Sequence, residues 1–252
     1  MTKNKIEKSI WFHSDFKSDT VAVVIIAPGL NLLPSKMDEL AYFLTSKKCD
    51  VFRIALGNNP HQWCNKFSDA YDEALEHAEV IERPLYFLGY SLGALLGEHY
   101  MLSNPYQLIK KCVLIAPATY TKFYTQIPAW LSLIFPKGKI KSSNLENYRA
   151  KSFTSLLEYK IMRRLQIEVK KKFNILEFNT PTLLVTNPHD ELVNSNKLTK
   201  IAALNPHWVS LELSNKESQL PKKYHHLMID SAAIGPSEWK KLLKRLTEHF
   251  EL

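Results

Sequence analysis

Glycine is scarce in this sequence, with seven in 252 residues, so flexible linkers and glycine-rich phosphate loops have little to be made from. Cysteine is scarcer still. Cys49, Cys64 and Cys112 are odd in number and far apart, which argues against a disulfide framework or a zinc knuckle and leaves buried thiols as the plain reading. No apolar run approaches the about 18 to 20 residues that a membrane-spanning helix needs. The first such run, Val21 to Ala27, is too short and too far in for a secretory signal, and Met1 to Lys8 is polar and lysine-rich. The expected location is therefore cytoplasmic. Internal repeats and low-complexity tracts are absent.

Acidic residues run short in one place. The formal net charge is +8, and Lys137 to Lys172 holds eleven lysines and arginines against three glutamates, which accounts for the whole excess. The rest of the chain is near neutral. A general nucleic-acid role loses its support, and one basic segment needs an explanation.

What is present is enough apolar residue, 45% of the chain, for one large core. Val21 to Ala27 is a continuous β-branched run ended by Pro28-Gly29, as suits a strand buried on both faces of a parallel sheet. Further strands are expected at Asp50 to Leu56, Leu85 to Leu88, Cys112 to Ala116, Thr182 to Thr186 and Trp208 to Leu213. Helices are expected from Met37 to Leu44, Phe67 to Ala78, Leu92 to Leu102, around Asn196 to Leu204, and from Ser237 to Phe250. The alternation predicts an α/β fold with a mostly parallel central sheet flanked by helices. It stops between Pro117 and Thr180. Residues 120–180 read as a mainly helical insertion in a core made of 1–119 and 181–252, with Tyr159, Met162, Leu165 and Val169 at helical spacing.

Gly89-Tyr90-Ser91-Leu92-Gly93 falls where the strand ending at Leu88 meets the helix beginning at Leu92, the context that gives Gly-x-Ser-x-Gly its meaning. A serine projected from so sharp a turn sits in strained backbone, and side chains two residues to either side of it would collide across the turn. On these residues the sequence resembles the α/β-hydrolase superfamily, and within it the small bacterial carboxylesterases and monoacylglycerol-lipase-like serine hydrolases with a short helical cap. The resemblance runs from Val21 to the last helix.

It implies a nucleophilic Ser91 followed in chain order by an acid and a histidine. Asp190, a short turn after Thr182 to Thr186, stands at the acid position, although an aspartate before a helix is also a common cap. Asn187 replaces the glycine usual three residues earlier, and asparagine tolerates left-handed backbone. His225 and His226 compete for the base. His225 keeps the family spacing of five residues to an acidic residue, Asp230, and is preferred, with His226 the alternative. The backbone N–H groups of Leu30, in Pro28-Gly29-Leu30-Asn31, and of Leu92 are implied as the oxyanion hole. His77, His99 and His189 belong to no recognisable ligand set, so neither metal nor cofactor is expected.

A helical cap would roof a substrate pocket with Tyr90, Ile127, Trp130, Leu131 and Ile134 among its lining, though each could equally pack the cap onto the core. The resemblance implies a serine esterase acting on short or medium acyl esters, with monoacylglycerol or lysophospholipid in range. Basic residues around the cap would allow weak contact with an anionic membrane surface. Two other readings stay open: an acyltransferase or thioesterase on the same fold, and an inactive binding protein that kept the fold.

Overall fold

The computed structural model describes residues 7–15, 19–173, 178–221 and 224–252. Most of the lysine-rich N-terminus therefore lies outside the described residues. Seven strands form the central sheet: β1 (Ile10–Phe12), β2 (Ala22–Ala27), β3 (Cys49–Arg53), β4 (Leu85–Tyr90), β5 (Ile109–Ile115), β8 (Thr182–Thr186) and β9 (Trp208–Glu212). Their order is β1-β3-β2-β4-β5-β8-β9. Every neighbouring pair is parallel except β1 with β3. This is the mostly parallel sheet that the strand and helix alternation predicts, in the α/β-hydrolase fold that the resemblance implies.

The apolar runs explain which strands are central. Every residue of β2, β3, β4 and β8 is buried, because helices cover both faces of the sheet. Those helices are α1 (Asp38–Ser46), α2 (Trp63–Val80), α3 (Leu92–Ser103), α6 (Ser195–Ala202), the short α7 (Ser231–Ile234) and α8 (Pro236–Phe250). α8 shows how each is held: Trp239, Leu242, Leu246 and Phe250 form one buried stripe, and Phe250 stacks on Tyr86 of β4 at 4.9 Å between ring centroids.

Between β5 and β8 the chain leaves the sheet to form α4 (Ile127–Ile134), a two-stranded hairpin of β6 (Lys139–Lys141) and β7 (Phe153–Ser155), and α5 (Leu156–Lys172). The hairpin departs from the mainly helical expectation, since three-residue strands are too short to show a period of two. α5 begins with a reciprocal capping box between Ser155 and Glu158. Its predicted stripe is real: Met162, Leu165 and Val169 are buried. His99 Nε2 meets Glu168 Oε2 at 3.0 Å, joining α3 to α5.

Candidate active site

β4 is the middle strand of the seven, and Ser91 is the residue that turns its carboxyl end into α3. The turn forces Ser91 to φ 53°, ψ −110°, a positive-φ conformation outside the left-handed helical region that residues other than glycine rarely adopt and that costs about 1–3 kcal/mol. The flanking glycines make it possible. A Cβ on Gly93 would sit 2.2 Å from the carbonyl oxygen of Ala27, and one on Gly89 2.6 Å from Cα of Ala94. The Ser91 backbone is pinned in turn by Ser91 N–H to Ile115 O at 2.9 Å and Ala118 N–H to Ser91 O at 3.1 Å.

The buried His226 approaches from the loop after β9, its Nε2 2.9 Å from Ser91 Oγ and its Nδ1 2.8 Å from Asp190 Oδ2. An ionised carboxylate can only accept, so Nδ1 carries the proton and Nε2 presents a lone pair to the serine hydroxyl. Asp190 is itself fixed, its Oδ1 accepting from Leu192 N–H at 2.7 Å and Val193 N–H at 2.8 Å. The result is one hydrogen-bonded line, Ser91–His226–Asp190.

His225, the preferred base on sequence grounds, is not on that line. Its Nδ1 pairs with Asn215 Oδ1 and its ring lies beside His189, 5.6 Å between centroids. Adjacent side chains in this tight loop diverge, and only the second points inward. The five-residue spacing to Asp230 misleads because Asp230 is engaged elsewhere. It caps α7 through Ala233 N–H and accepts from Tyr148 Oη at 3.0 Å. In the structure His226 opens a buried run with Leu227, Met228 and Ile229, and His225 stands outside it. Asn187 also works differently from expectation. It is not among the residues with positive φ, and it shapes the turn by accepting from His189 N–H through Oδ1 and from Asp190 N–H through its carbonyl.

Electrostatics poise the pair. Burial pulls the His226 pKa down, but the Asp190 charge and hydrogen bond, with Glu191 behind them, outweigh it and hold the imidazole above its ordinary 6.5. Burial pushes Asp190 up, and His226 together with the Val193 and Leu192 N–H groups brings it below the usual carboxylate value. A protonated His226 cannot take the serine proton. The acidic limb of kcat/KM should therefore have its midpoint above pH 6.5, with activity lost as pH falls through it, and Asp190→Asn should move that midpoint down. A pH–rate profile checks both; a midpoint well below 6.5 in the native chain would contradict this electrostatic account.

Two more residues hold the site together, Tyr90, expected only as pocket lining, and Asn31, for which the sequence suggested no role. Tyr90, fully buried, donates from its hydroxyl to His226 O at 3.2 Å and so fastens the histidine loop to the nucleophile turn. Asn31, at φ 52°, ties the Gly29–Asn31 turn to the insertion. Its Nδ2 donates to Lys151 O at 2.9 Å and its Oδ1 accepts from Lys151 N–H at 2.8 Å.

A cavity of about 210 Å³ opens at Ser91 and His226. Leu30, Tyr90, Ala118, Pro128, Met162 and Val193 give it an apolar side, and Ser142, Ser143 and Asn144 a polar one. Tyr90 lines it as expected; Ile127, Trp130, Leu131 and Ile134 do not. Those four occupy the outward face of α4, where Ile134 is 71% exposed, while Ala129 and Ser132 are its buried residues. The helical period shows that α4 has a stripe but not which way it faces.

The chain matches the family described as "Serine aminopeptidase, S33" over residues 18–231. No curated protein matches its sequence. Among solved structures it is similar to a soluble variant of monoglyceride lipase from Saccharomyces cerevisiae, with a TM-score of 0.76 and 12% identity over 99% of this chain and 94% of that one. It is also similar to a monoacylglycerol lipase from Paleococcus ferrophilus, with a TM-score of 0.66 and 14% identity over 96% of this chain and 98% of that one. At such identities the likeness concerns the fold, whereas the family match spans most of the sequence. The chain belongs to the S33 serine aminopeptidase family of α/β-hydrolases.

Proposed function

We propose that this chain is a carboxylic ester hydrolase working through an acyl-enzyme on Ser91, and the observation that carries the proposal is the Ser91–His226–Asp190 line facing a mixed apolar and polar cavity. Ser91 Oγ bonds to the ester carbonyl carbon as its proton passes to His226 Nε2. The oxyanion is held by the N–H groups of Leu30 and Leu92. Leu92 is the first residue of α3, so its N–H has no partner within the helix. The intermediate collapses and the alcohol leaves with the proton from Nε2. Water then gives its own proton to Nε2 as it attacks the acyl carbon, and this second intermediate breaks its bond to Ser91 Oγ, which takes the proton back from Nε2 as the acid is released.

The insertion, residues 120–180, acts in this reading as the cap over the site. The 210 Å³ cavity holds at least ~7 water-sized groups at ~30 Å³ each, which suits a short or medium acyl chain. Ser142, Ser143 and Asn144 also border a second hollow beyond His226 with Lys141, Arg149, Glu146 and Glu191, a setting for a polar alcohol such as glycerol. Nearby acids that could receive a peptide amino group are engaged elsewhere. Glu146 meets Arg149 at 3.6 Å, Glu158 meets Lys151 at 2.6 Å, and Glu191 accepts from His226 N–H at 3.1 Å. Turnover of aliphatic nitrophenyl esters, a monoacylglycerol, an acyl thioester with and without an alcohol acceptor, and an aminoacyl anilide tests the reading. Fastest turnover on short or medium esters is expected; anilide cleavage outrunning every ester, or transfer outrunning hydrolysis, would overturn it.

The same reading includes contact with an anionic lipid surface. Phe123, Ile127, Trp130, Leu131, Leu133, Ile134 and Phe135 are all exposed on and around α4, more than a monomer ordinarily leaves in one place. Lys137, Lys139 and Lys141 follow them at the surface, and Arg163 lies 5.8 Å over the Trp130 ring. An apolar wedge rimmed with cations suits a bilayer of anionic lipid, where each near-surface lysine contributes about 1 kcal/mol at low salt. Paired Leu133→Asp and Ile134→Asp changes should lower binding to anionic vesicles by about tenfold or more while leaving turnover of a water-soluble ester within twofold. Vesicle binding by the native chain that ignores lipid charge and salt would count against this surface.

A further inference from the structure

Far from Ser91, the fold gathers three residues that the sequence holds widely apart. His13 follows the edge strand β1, Asp50 is the second residue of β3, and His77 lies in the last turn of α2. Asp50 sits at the amino end of its strand, whereas Ser91 follows the carboxyl end of the parallel β4, so the cluster occupies the opposite rim of the sheet. One ligand atom from each residue lies within 4.8 Å of the others. His77 Nε2 is 2.7 Å and His13 Nδ1 3.6 Å from the same oxygen, Asp50 Oδ2.

We propose that His13, Asp50 and His77 form a binding site for a borderline divalent metal ion of the Zn²⁺ class, clamping strand β1 to the body of the fold. The donor chemistry selects the class. Two imidazole nitrogens and one carboxylate oxygen suit Zn²⁺ or its transition-metal neighbours, whereas Mg²⁺ and Ca²⁺ want oxygen donors. A tetrahedral ion with ligands at about 2.0–2.2 Å sets them roughly 3.3–3.6 Å apart; the two pairs to Asp50 Oδ2 stand at 2.7 Å and 3.6 Å and all three atoms lie within 4.8 Å, so a small movement of the histidines completes the site. His13, whose side chain is 53% exposed, is free to make the adjustment, and its exposure leaves the fourth position to water.

The outer groups are arranged as metal sites require. Asp50 is buried, and its other oxygen accepts from Ser14 N–H at 2.8 Å, which orients the carboxylate. Trp11 packs against both rings, stacked on His13 at 5.6 Å and edge-on to His77 at 4.8 Å. Trp11 is held in turn by its Nε1 donating to Glu73 Oε1 at 2.8 Å, one helical turn before His77. β1 is only three residues long and pairs with β3 alone, so a metal tying its end to β3 and α2 would act where the sheet has fewest other restraints.

Calorimetric titration of the full chain with ZnCl₂ tests the proposal, with Co²⁺ absorption reporting the ligand geometry. One equivalent should bind to the native chain and equally to His226→Ala, which separates this site from the Ser91 pocket. Magnesium should give no saturable binding. His77→Ala and His13→Ala should each weaken Zn²⁺ binding by at least the 10- to 100-fold that loss of an outer partner costs. A hundredfold excess of Zn²⁺ over its dissociation constant should raise Tm by about 5 °C in the native chain and not in His13→Ala. Ester turnover in both variants should match the native chain, which verifies their folding. Absence of saturable Zn²⁺ binding to the native chain, or binding retained in His13→Ala and His77→Ala, would overturn the site.

Discussion

His226→Ala should lower kcat on a soluble ester by about 10⁴- to 10⁶-fold, whereas His225→Ala should leave it within a few-fold. The asymmetry follows from two contacts. His226 alone reaches Ser91 Oγ, at 2.9 Å, and Asp190, at 2.8 Å, and without it the hydroxyl must ionise unaided in a buried pocket. His225 bonds to Asn215 and supports the loop from outside. Most of the loss should fall on kcat, because the imidazole acts on a proton that moves only in the transition state. Steady-state kinetics of the two variants decide the matter, and the reverse pattern would overturn the assignment of the base.

Asp190→Asn should be the second most damaging change, with kcat reduced about 10⁴-fold and KM little altered. The asparagine is isosteric but offers His226 Nδ1 either a neutral acceptor or an N–H donor, and the donor would favour the wrong tautomer. It also removes the charge that holds the His226 pKa above its ordinary value against burial. Two further bonds, from Leu192 and Val193 N–H to Oδ1, fix the carboxylate, so the variant should fold with its side chain in place. A loss under tenfold would mean that orientation of His226 depends on Tyr90 and Glu191 more than on Asp190.

Much of this site was legible in the sequence because its constraints are local. A β-branched run marks a strand buried on both faces, and Gly89 and Gly93 mark the strained turn between them because a Cβ at either would overlap backbone. The chain order of serine, acid and histidine then narrowed the search to two loops. What stayed illegible depends on direction or on distance. In the loop of His225 and His226, one step along the chain reverses a side chain, and no period in the sequence reports which one turns inward. The stripe of α4 is plain at Ile127, Trp130, Leu131 and Ile134, but an apolar stripe faces the core in most helices and here faces out. β1, β6 and β7 are three residues each, shorter than any pattern that could announce them. Asn31 and the cluster of His13, Asp50 and His77 are assembled by tertiary contacts alone.

The central claim is that Ser91 is a reactive nucleophile served by His226. Labelling with a fluorophosphonate, followed by mass spectrometry of the intact and digested chain, measures this without reference to any substrate. One adduct per chain on Ser91 is predicted, absent in Ser91→Ala, slowed by several orders of magnitude in His226→Ala and near the native rate in His225→Ala. A folded native chain that takes no label, or takes it at another residue, would contradict the account.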